Sequence, residues 1–499
     1  MTPFNQLAAL RSHGPRRTLG LPDAVIERFL KSDLSLAQAI GEAYTAYEQA
    51  RVEFPELLNL PENEQLKITQ GGFVNFYSDD TVNPYVAIAA RGPWVISLKG
   101  AVIHDNGGYG MLGAGHGPQA VIDAMARPQV MANIMTASLS QLRLERALRR
   151  EIGHTRGGCP YAKFLCLNSG SETVTLAGRL ADVNTKLMTA PGAPHAGRKV
   201  RRIAVRGAFH GRTELPALYS DSSKKAYNEH LASFAHHQHT LIVEPYDVAH
   251  LRQTFAEAES AGFHIEAMFI EPVMGEGNPG RALTPEFYAV AREMTKKHHS
   301  LLLADSIQSG LRAHGVLSIV DYPDFETLEA PDLETYSKAL NAGQYPLSVL
   351  AANERAAALY RKGIYGNTMT TNPRAMDVAC TVLDGLTPAL RQNIRERGAE
   401  FLRKLEALAR ELPGMITNVQ GTGLLFSCEL SAEFKCYGTN STEEFMREHG
   451  LGVIHGGANS LRFTPHFAIT SDEVDLVIDN VRRALVSGPR LSMPAAQAA

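Results

Sequence analysis

The sequence predicts an α/β protein, with a large domain of mostly parallel sheet flanked by helices and a smaller α+β domain after it. Short apolar runs at 164–167, 203–205, 267–270 and 301–304 carry the first part of that expectation. Near-continuous apolar strands are the kind buried on both faces of a parallel sheet. Stretches long enough for helices separate them, which is the alternation of βαβ units. The C-terminal part breaks the rhythm, with strand-like runs near 423–427 and 460–463.

Composition bounds the function classes. The 499 residues are 44% hydrophobic and 20% charged, ordinary for a globular chain. Lys+Arg 49 against Asp+Glu 52 leaves a net charge of -3, so no basic surface points to nucleic acid or an anionic membrane as partner. The cysteines, 159, 166, 380, 428 and 436, are scattered without a C-x-x-C pair, which argues against a disulfide framework and against a zinc site. No run approaches the length of a membrane span, and the first residues lack a charged-then-apolar leader. A cytoplasmic protein is expected.

Residues 1–90 read as an N-terminal extension, helical in part and irregular elsewhere. Leu36, Ile40, Ala43, Tyr44 and Tyr47 share one helical face from Leu34 onward, with Asp33 or Ser35 as the cap. Residues 11–17 look like an irregular arm, and Pro55 and Pro61 are expected to break the chain into loop. Residues 91–386 form the large domain, its first part contributing to the small one, and 387–499 the C-terminal small α+β domain. A hairpin is expected at 95–105, turning at Lys99-Gly100. The glycine-rich 107–117 matches neither a P-loop nor a dinucleotide fingerprint and reads as a tight loop bordering a site. A helix at 374–386 and a long charged helix at 387–412 follow.

The chemistry concentrates at two places. The run 301–304 ends in Asp305, as a buried strand delivers one carboxylate to a site at its C-terminal end. Lys338 sits among small and apolar residues, Ser337-Lys338-Ala339-Leu340, where an amine loses its proton more readily and becomes a nucleophile toward a carbonyl. Such a pair is what pyridoxal phosphate requires. The lysine holds the aldehyde as a Schiff base, and the carboxylate keeps the pyridine nitrogen protonated so that the ring withdraws electrons. Taken alone, Asp305 reads more readily as a strand-end carboxylate capping the next helix, and Lys338 as a lysine snorkelling from a surface loop. Asn168-Ser169-Gly170-Ser171-Glu172 reads as strand end, turn and helix start, and the amides of Gly170 and Ser171 there suit a monophosphate. A bare helix cap is the alternative. In Phe209-His210-Gly211-Arg212 the ring can cover a planar cofactor and the guanidinium can fork onto a carboxylate, with packing and a surface ion pair as the alternatives. The histidines at 236, 237, 239, 298 and 299 match no metal-binding spacing and read as a solvated surface.

Over roughly residues 90–485, and in the same order, these segments resemble the class III (ornithine/ω-amino-acid) aminotransferases, pyridoxal-phosphate enzymes of fold type I. The resemblance implies Gly170 and Ser171 as phosphate ligands, Phe209 as the ring-stacking residue with His210 beside it, and Asp305 as partner of the pyridine nitrogen. It places Gln308 by the phenolic oxygen and makes Lys338 the Schiff-base lysine. Thr368, ahead of Asn372-Pro373, matches a threonine that reaches the phosphate of the neighbouring subunit, which implies a homodimer with shared active sites. Arg462 is similar to the arginine that holds the carboxylate of the 2-oxo acid, and Glu276 to the carboxylate that neutralises it. Arg212 is an implied substrate-carboxylate contact and Tyr109 a substrate-lining aromatic. The implied reaction moves an amino group, the ω-amino group of an amino acid or diamine, to a 2-oxo acid such as 2-oxoglutarate by ping-pong alternation. An aminomutase or decarboxylase would keep Asp305 and Lys338 as well, and a non-catalytic scaffold is a further alternative. Ser306 stands where the family usually has Glu, Asn278-Pro279 alters a glycine-rich turn, and 321–328 and the N-terminal arm are additions. None of these touches the Asp305 and Lys338 pair.

Overall fold

A computed structural model describes residues 1–130, 134–236 and 239–491. The chain divides into two compact units. One comprises Met1–Gln119, Glu396–Gln420 and Phe426–Ala499, the other Ala120–Arg395 and Gly421–Leu425.

The second unit is built on seven strands in the spatial order Lys163–Leu167, Ser348–Ala352, Leu333–Tyr336, Leu301–Asp305, Phe263–Ile270, Lys199–Val205 and Thr240–Val243. The last five pair in parallel, as the alternation of strands and helices implies. Ser348–Ala352 runs antiparallel to both its neighbours. The short connection through 337–347 explains the reversal, since a parallel return needs a longer crossover. Leu301, Leu303, Ala267, Phe269, Leu333 and Leu350 share one core with Val174, Ala177 and Leu180 of the helix Gly170–Thr189. Every residue of Leu301–Asp305 is buried. Because these strands are parallel, the segments after Val205, Ile270, Asp305 and Tyr336 all leave from the same edge of the sheet.

The first unit holds the N-terminal segment. Its helix Leu34–Glu53 is capped by Asp33, which accepts the Ser35 amide at 2.8 Å on one oxygen and the Trp94 indole N–H at 2.5 Å on the other. Such a cap is worth about 1 kcal/mol. Leu7, Leu36, Ile40, Ala43, Trp94 and Ile96 form one apolar cluster, so the segment 1–90 shares its core with the strands that follow. Pro55 and Pro61 do not open loops. Pro55 is the first residue of the helix Pro55–Leu58, and Pro61 caps Glu62–Gln70. Proline is tolerated there because the first helical N–H groups have no intrahelical acceptor to lose. The hairpin at 95–105 is Trp94–Ser97 against Val102–Asp105, extended by Ala87–Arg91 and Leu451–Gly452 into a four-stranded sheet. A second sheet orders Ile416–Thr422, Leu425–Leu430, Ser460–Phe463 and Ile454–Gly456. The long charged helix is Pro388–Glu411, and the unit boundary at 395/396 falls inside it. Among the described residues no helix is long and apolar enough to cross a membrane. All five thiols are free.

Candidate active site

Asp305 ends the strand Leu301–Asp305 with its side chain almost wholly buried, and three donors converge on it. His210 Nδ1 lies 2.8 Å from Oδ2, while Oδ1 accepts the Thr335 hydroxyl at 3.1 Å and the Ile307 amide at 3.2 Å. The imidazole is fully buried, so the nitrogen facing the carboxylate is the protonated one. A carboxylate has about four acceptor sites. Three bonds leave one on Oδ2. Thr335 follows from register, since Asp305 and Thr335 are direct neighbours in the parallel pair and face the same side. The sequence motifs did not point to it.

A second buried carboxylate, Glu271, follows the strand Phe263–Ile270. Its oxygens accept the amides of Phe209 and Gly275, each at 2.9 Å, so one side chain ties the Phe209 turn to the turn before Glu276. Burial pushes the Glu271 carboxyl up to about 7, with His210 opposing and Asp305 adding to the rise. It directly follows the apolar run 267–270. Phe209 is half-buried, and the Arg212 guanidinium, on an exposed residue, lies 5.2 Å over its ring.

Gly170 and Ser171 begin the helix Gly170–Thr189, whose capping box pairs Ser169 with Glu172. Glu172 also accepts the amides of Asn168 and Ser169 at 2.8 and 2.9 Å. The amides of Gly170 and Ser171 lie in the first turn, where no intrahelical acceptor exists. Three glycines pack tightly here. A Cβ on Gly170 would come 2.6 Å from the Ile307 side chain, on Gly211 2.4 Å from Ser171 Oγ, and on Gly275 2.3 Å from the Gln308 amide. Gln308 is buried with no partner on its Oε1.

Lys338 follows the strand Leu333–Tyr336 with a left-handed backbone (φ 49), unusual for a side chain of this type, and is half-buried. Thr368 is exposed and lines a cleft of about 1120 Å³ with Leu167, Leu176 and Tyr365. Glu334, on the strand beside Asp305, faces the opposite side of the sheet. It accepts the hydroxyls of Ser306 at 2.6 Å, Tyr161 at 2.6 Å and Ser318 at 2.5 Å, and the Ile319 amide at 2.9 Å. Ser306, the departure from the family pattern, is thus one of four donors to a buried carboxylate that no motif signalled.

Tyr109 and Arg462 belong to the first unit. Arg462 is buried, with its guanidinium 5.5 Å over the Tyr109 ring, and Tyr109 has a left-handed backbone (φ 51). In the same unit Glu473 Oε1 sits 3.0 Å from His104 Nε2 and 2.9 Å from His466 Nε2, a group of possible metal ligands already satisfied by mutual hydrogen bonds and by the cap of the helix Ser471–Ser487. Of the histidines read as surface, His239 and His299 are exposed, but His298 is buried under the ring of Phe255. His237 lies outside the described residues.

A parallel sheet with a carboxylate at a strand end, a helix N-terminus and a lysine on the same edge defines a pyridoxal-phosphate enzyme of fold type I. Residues 76–485 match the model of the family described as aminotransferase class-III, and the chain belongs to that family. It is a pyridoxal-phosphate-dependent transaminase. It is 27% identical over 408 residues to the acetylornithine aminotransferase of Neisseria meningitidis, covering 81% of this chain and 94% of that protein. It is 31% identical over 321 residues to the succinylornithine transaminase of Citrobacter koseri, covering 63% and 72%. Among solved structures, the ornithine aminotransferase of Toxoplasma gondii matches with a TM-score of 0.72 at 22% identity, covering 87% and 97%.

The residues present fit the cofactor. Asp305 keeps an acceptor site on Oδ2, and Gln308 has a buried oxygen without a partner.

Proposed function

We propose that this transaminase takes the ω-amino group of an amino acid or diamine and passes it to a 2-oxo acid such as 2-oxoglutarate. The names of the relatives support the donor class, and the family resemblance of Arg462 and Glu276 supports the acceptor. The bound cofactor supplies an electron sink for the carbon that carries the transferred nitrogen. In this reading Lys338 would hold the cofactor through its aldehyde, and its amine would serve the donor carbon as general base and then acid. Asp305 would accept the pyridine N–H, with His210 and Thr335 orienting it. Phe209 would cover the ring, Gln308 would meet the phenolic oxygen, and the amides of Gly170 and Ser171 would take the phosphate. Thr368 reaches the phosphate of a second subunit in a homodimer. Arg462 holds the acceptor's carboxylate, Glu276 neutralises it when the donor is bound, and Arg212 and Tyr109 line the donor path. The location is the cytoplasm.

The observation that carries this reading is the buried Asp305 with His210 at 2.8 Å and one acceptor site left. Initial rates measured with both substrates varied test the group transfer. Parallel double-reciprocal lines and a strict need for stoichiometric 2-oxo acid are expected. Turnover without a 2-oxo acid would instead indicate an aminomutase or decarboxylase.

A further inference from the structure

The Gly170-Ser171 turn and Thr368 lie in distant parts of the chain, and one side chain joins them. Asn367 Nδ2 donates to Glu172 Oε1 at 3.1 Å, and Asn367 Oδ1 accepts from Asn168 Nδ2 at 3.2 Å. Glu172 and Asn168 flank the turn, and the other oxygen of Glu172 accepts the amides of Asn168 and Ser169 at 2.8 and 2.9 Å. Asn367 therefore grips both sides of the capping box at the head of the helix Gly170–Thr189. The orientation of its amide follows from its partners, since a carboxylate accepts and a backbone N–H donates.

Asn367 also shapes the turn that carries Thr368. Its Oδ1 accepts the Met369 amide at 2.9 Å, its carbonyl accepts the Thr370 amide at 3.2 Å, and its own N–H donates to Thr370 Oγ1 at 3.2 Å. A side-chain oxygen that accepts the amide two residues on is how asparagine closes a turn. Thr368 stands between Asn367 and Met369, so one residue holds the backbone on both sides of it. Thr368 is exposed and Asn367 half-buried. Aspartate at this position would keep the acceptor for Met369 but set a second carboxylate against Glu172, and alanine would lose every side-chain bond.

We propose that Asn367 is a positioning residue for the cofactor phosphate. It locks Thr368 to the Asn168–Glu172 turn, so that the amides taking one subunit's phosphate and the hydroxyl reaching the other subunit's phosphate are held as a single hydrogen-bonded unit. The proposal rests on the reading of Thr368 as a contact to the phosphate of a second subunit. Fixing that hydroxyl in advance lowers the ordering cost of binding, which is paid otherwise when the cofactor arrives.

The test titrates the full-length protein, freed of cofactor, with pyridoxal phosphate and with pyridoxal, which lacks the phosphate, and reads the visible band of the lysine-bound form. Asn367→Ala should raise the Kd for pyridoxal phosphate about tenfold, the worth of a lost hydrogen bond to a charged group, and leave the Kd for pyridoxal unchanged. Asn367→Asp, which keeps the size of the side chain, should raise the first and not the second as well. Thr368→Ala should weaken pyridoxal phosphate at least as much, and the double variant should be no weaker than Thr368→Ala alone, because one residue acts through the other. A wild-type Kd in Asn367→Ala, an equal loss for both aldehydes, or additive effects in the double variant overturns the proposal, while the weakening in Thr368→Ala leaves the reading of that threonine standing. A wild-type Kd for pyridoxal phosphate in Thr368→Ala overturns that reading and the proposal with it.

Discussion

His210 Nδ1 lies 2.8 Å from Asp305 Oδ2 with both groups closed off from solvent, so the carboxylate at the end of the central strand is oriented by a donor from a neighbouring loop. A hydrogen bond to a charged group is worth about 1.5–3 kcal/mol. His210→Phe should therefore slow the half-reaction with a donor amine by roughly one to two orders of magnitude. Asp305→Asn, which replaces the acceptor by an amide, should cost more. Stopped-flow decay of the visible cofactor band measures both, and a wild-type rate in Asp305→Asn would mean that another group partners the pyridine nitrogen.

Glu334 anchors four donors without touching the proposed chemistry. Burial pushes its carboxyl up, while the hydroxyls of Ser306, Ser318 and Tyr161 pull the other way. Glu334→Ala strands those hydroxyls and the Ile319 amide, and each unsatisfied buried donor costs about 1–3 kcal/mol. The urea midpoint should fall by the equivalent of at least about 3 kcal/mol, and in Ser306→Ala by about 1–2 kcal/mol. Equal midpoints for Glu334→Ala and the wild type would show that the network carries no net stability.

The sequence disclosed those parts of the site that are linear. The apolar run into Asp305, the Gly170-Ser171 turn and the Lys338 segment are each contiguous, and the structure puts all three on one edge of the sheet. Thr335, Glu334 and the double role of Glu271 were illegible because they depend on which strands are neighbours and on which face alternation places a side chain. The reversed strand Ser348–Ala352 was hidden for the same reason, since an apolar run has no direction. Pro55 and Pro61 misled because proline punctuates a chain without saying whether it ends a loop or begins a helix. His298 misled because spacing says nothing of burial.

Stability should fall in acid through His264. It is 1% exposed and stacks on His195 at 4.7 Å, and burial lowers it to about 4, with His195, Arg198, His299 and His298 adding to the fall. At the neighbouring His298 the Glu259 carboxylate, 3.9 Å away, opposes the fall. The unfolded chain takes up this proton near 6.5 and the folded chain near 4, so the stability is present above 6.5 and is lost as pH falls toward 4. The full change is on the order of 3 kcal/mol. Denaturant midpoints between pH 7 and 4.5 should drop less steeply in His264→Phe than in the wild type, and identical slopes would exclude His264 as the source.

Arg462→Lys tests the acceptor side. The guanidinium is buried over Tyr109, and an ammonium keeps the charge but not the planar fork that grips a carboxylate. KM for 2-oxoglutarate should rise roughly 10- to 100-fold, with a smaller change for an amine donor that carries no carboxylate. Equal effects on both would place the role of Arg462 in folding of its unit.

The most direct measurement is the visible absorption spectrum of the protein reconstituted with pyridoxal phosphate, wild type beside Lys338→Ala, before and after a donor amine and then 2-oxoglutarate. The wild type should show the band of lysine-bound cofactor, lose it on adding the donor and regain it with 2-oxoglutarate. Lys338→Ala should bind the cofactor without forming that band. Identical spectra for the two proteins would contradict the assignment of Lys338 and with it the catalytic site described above.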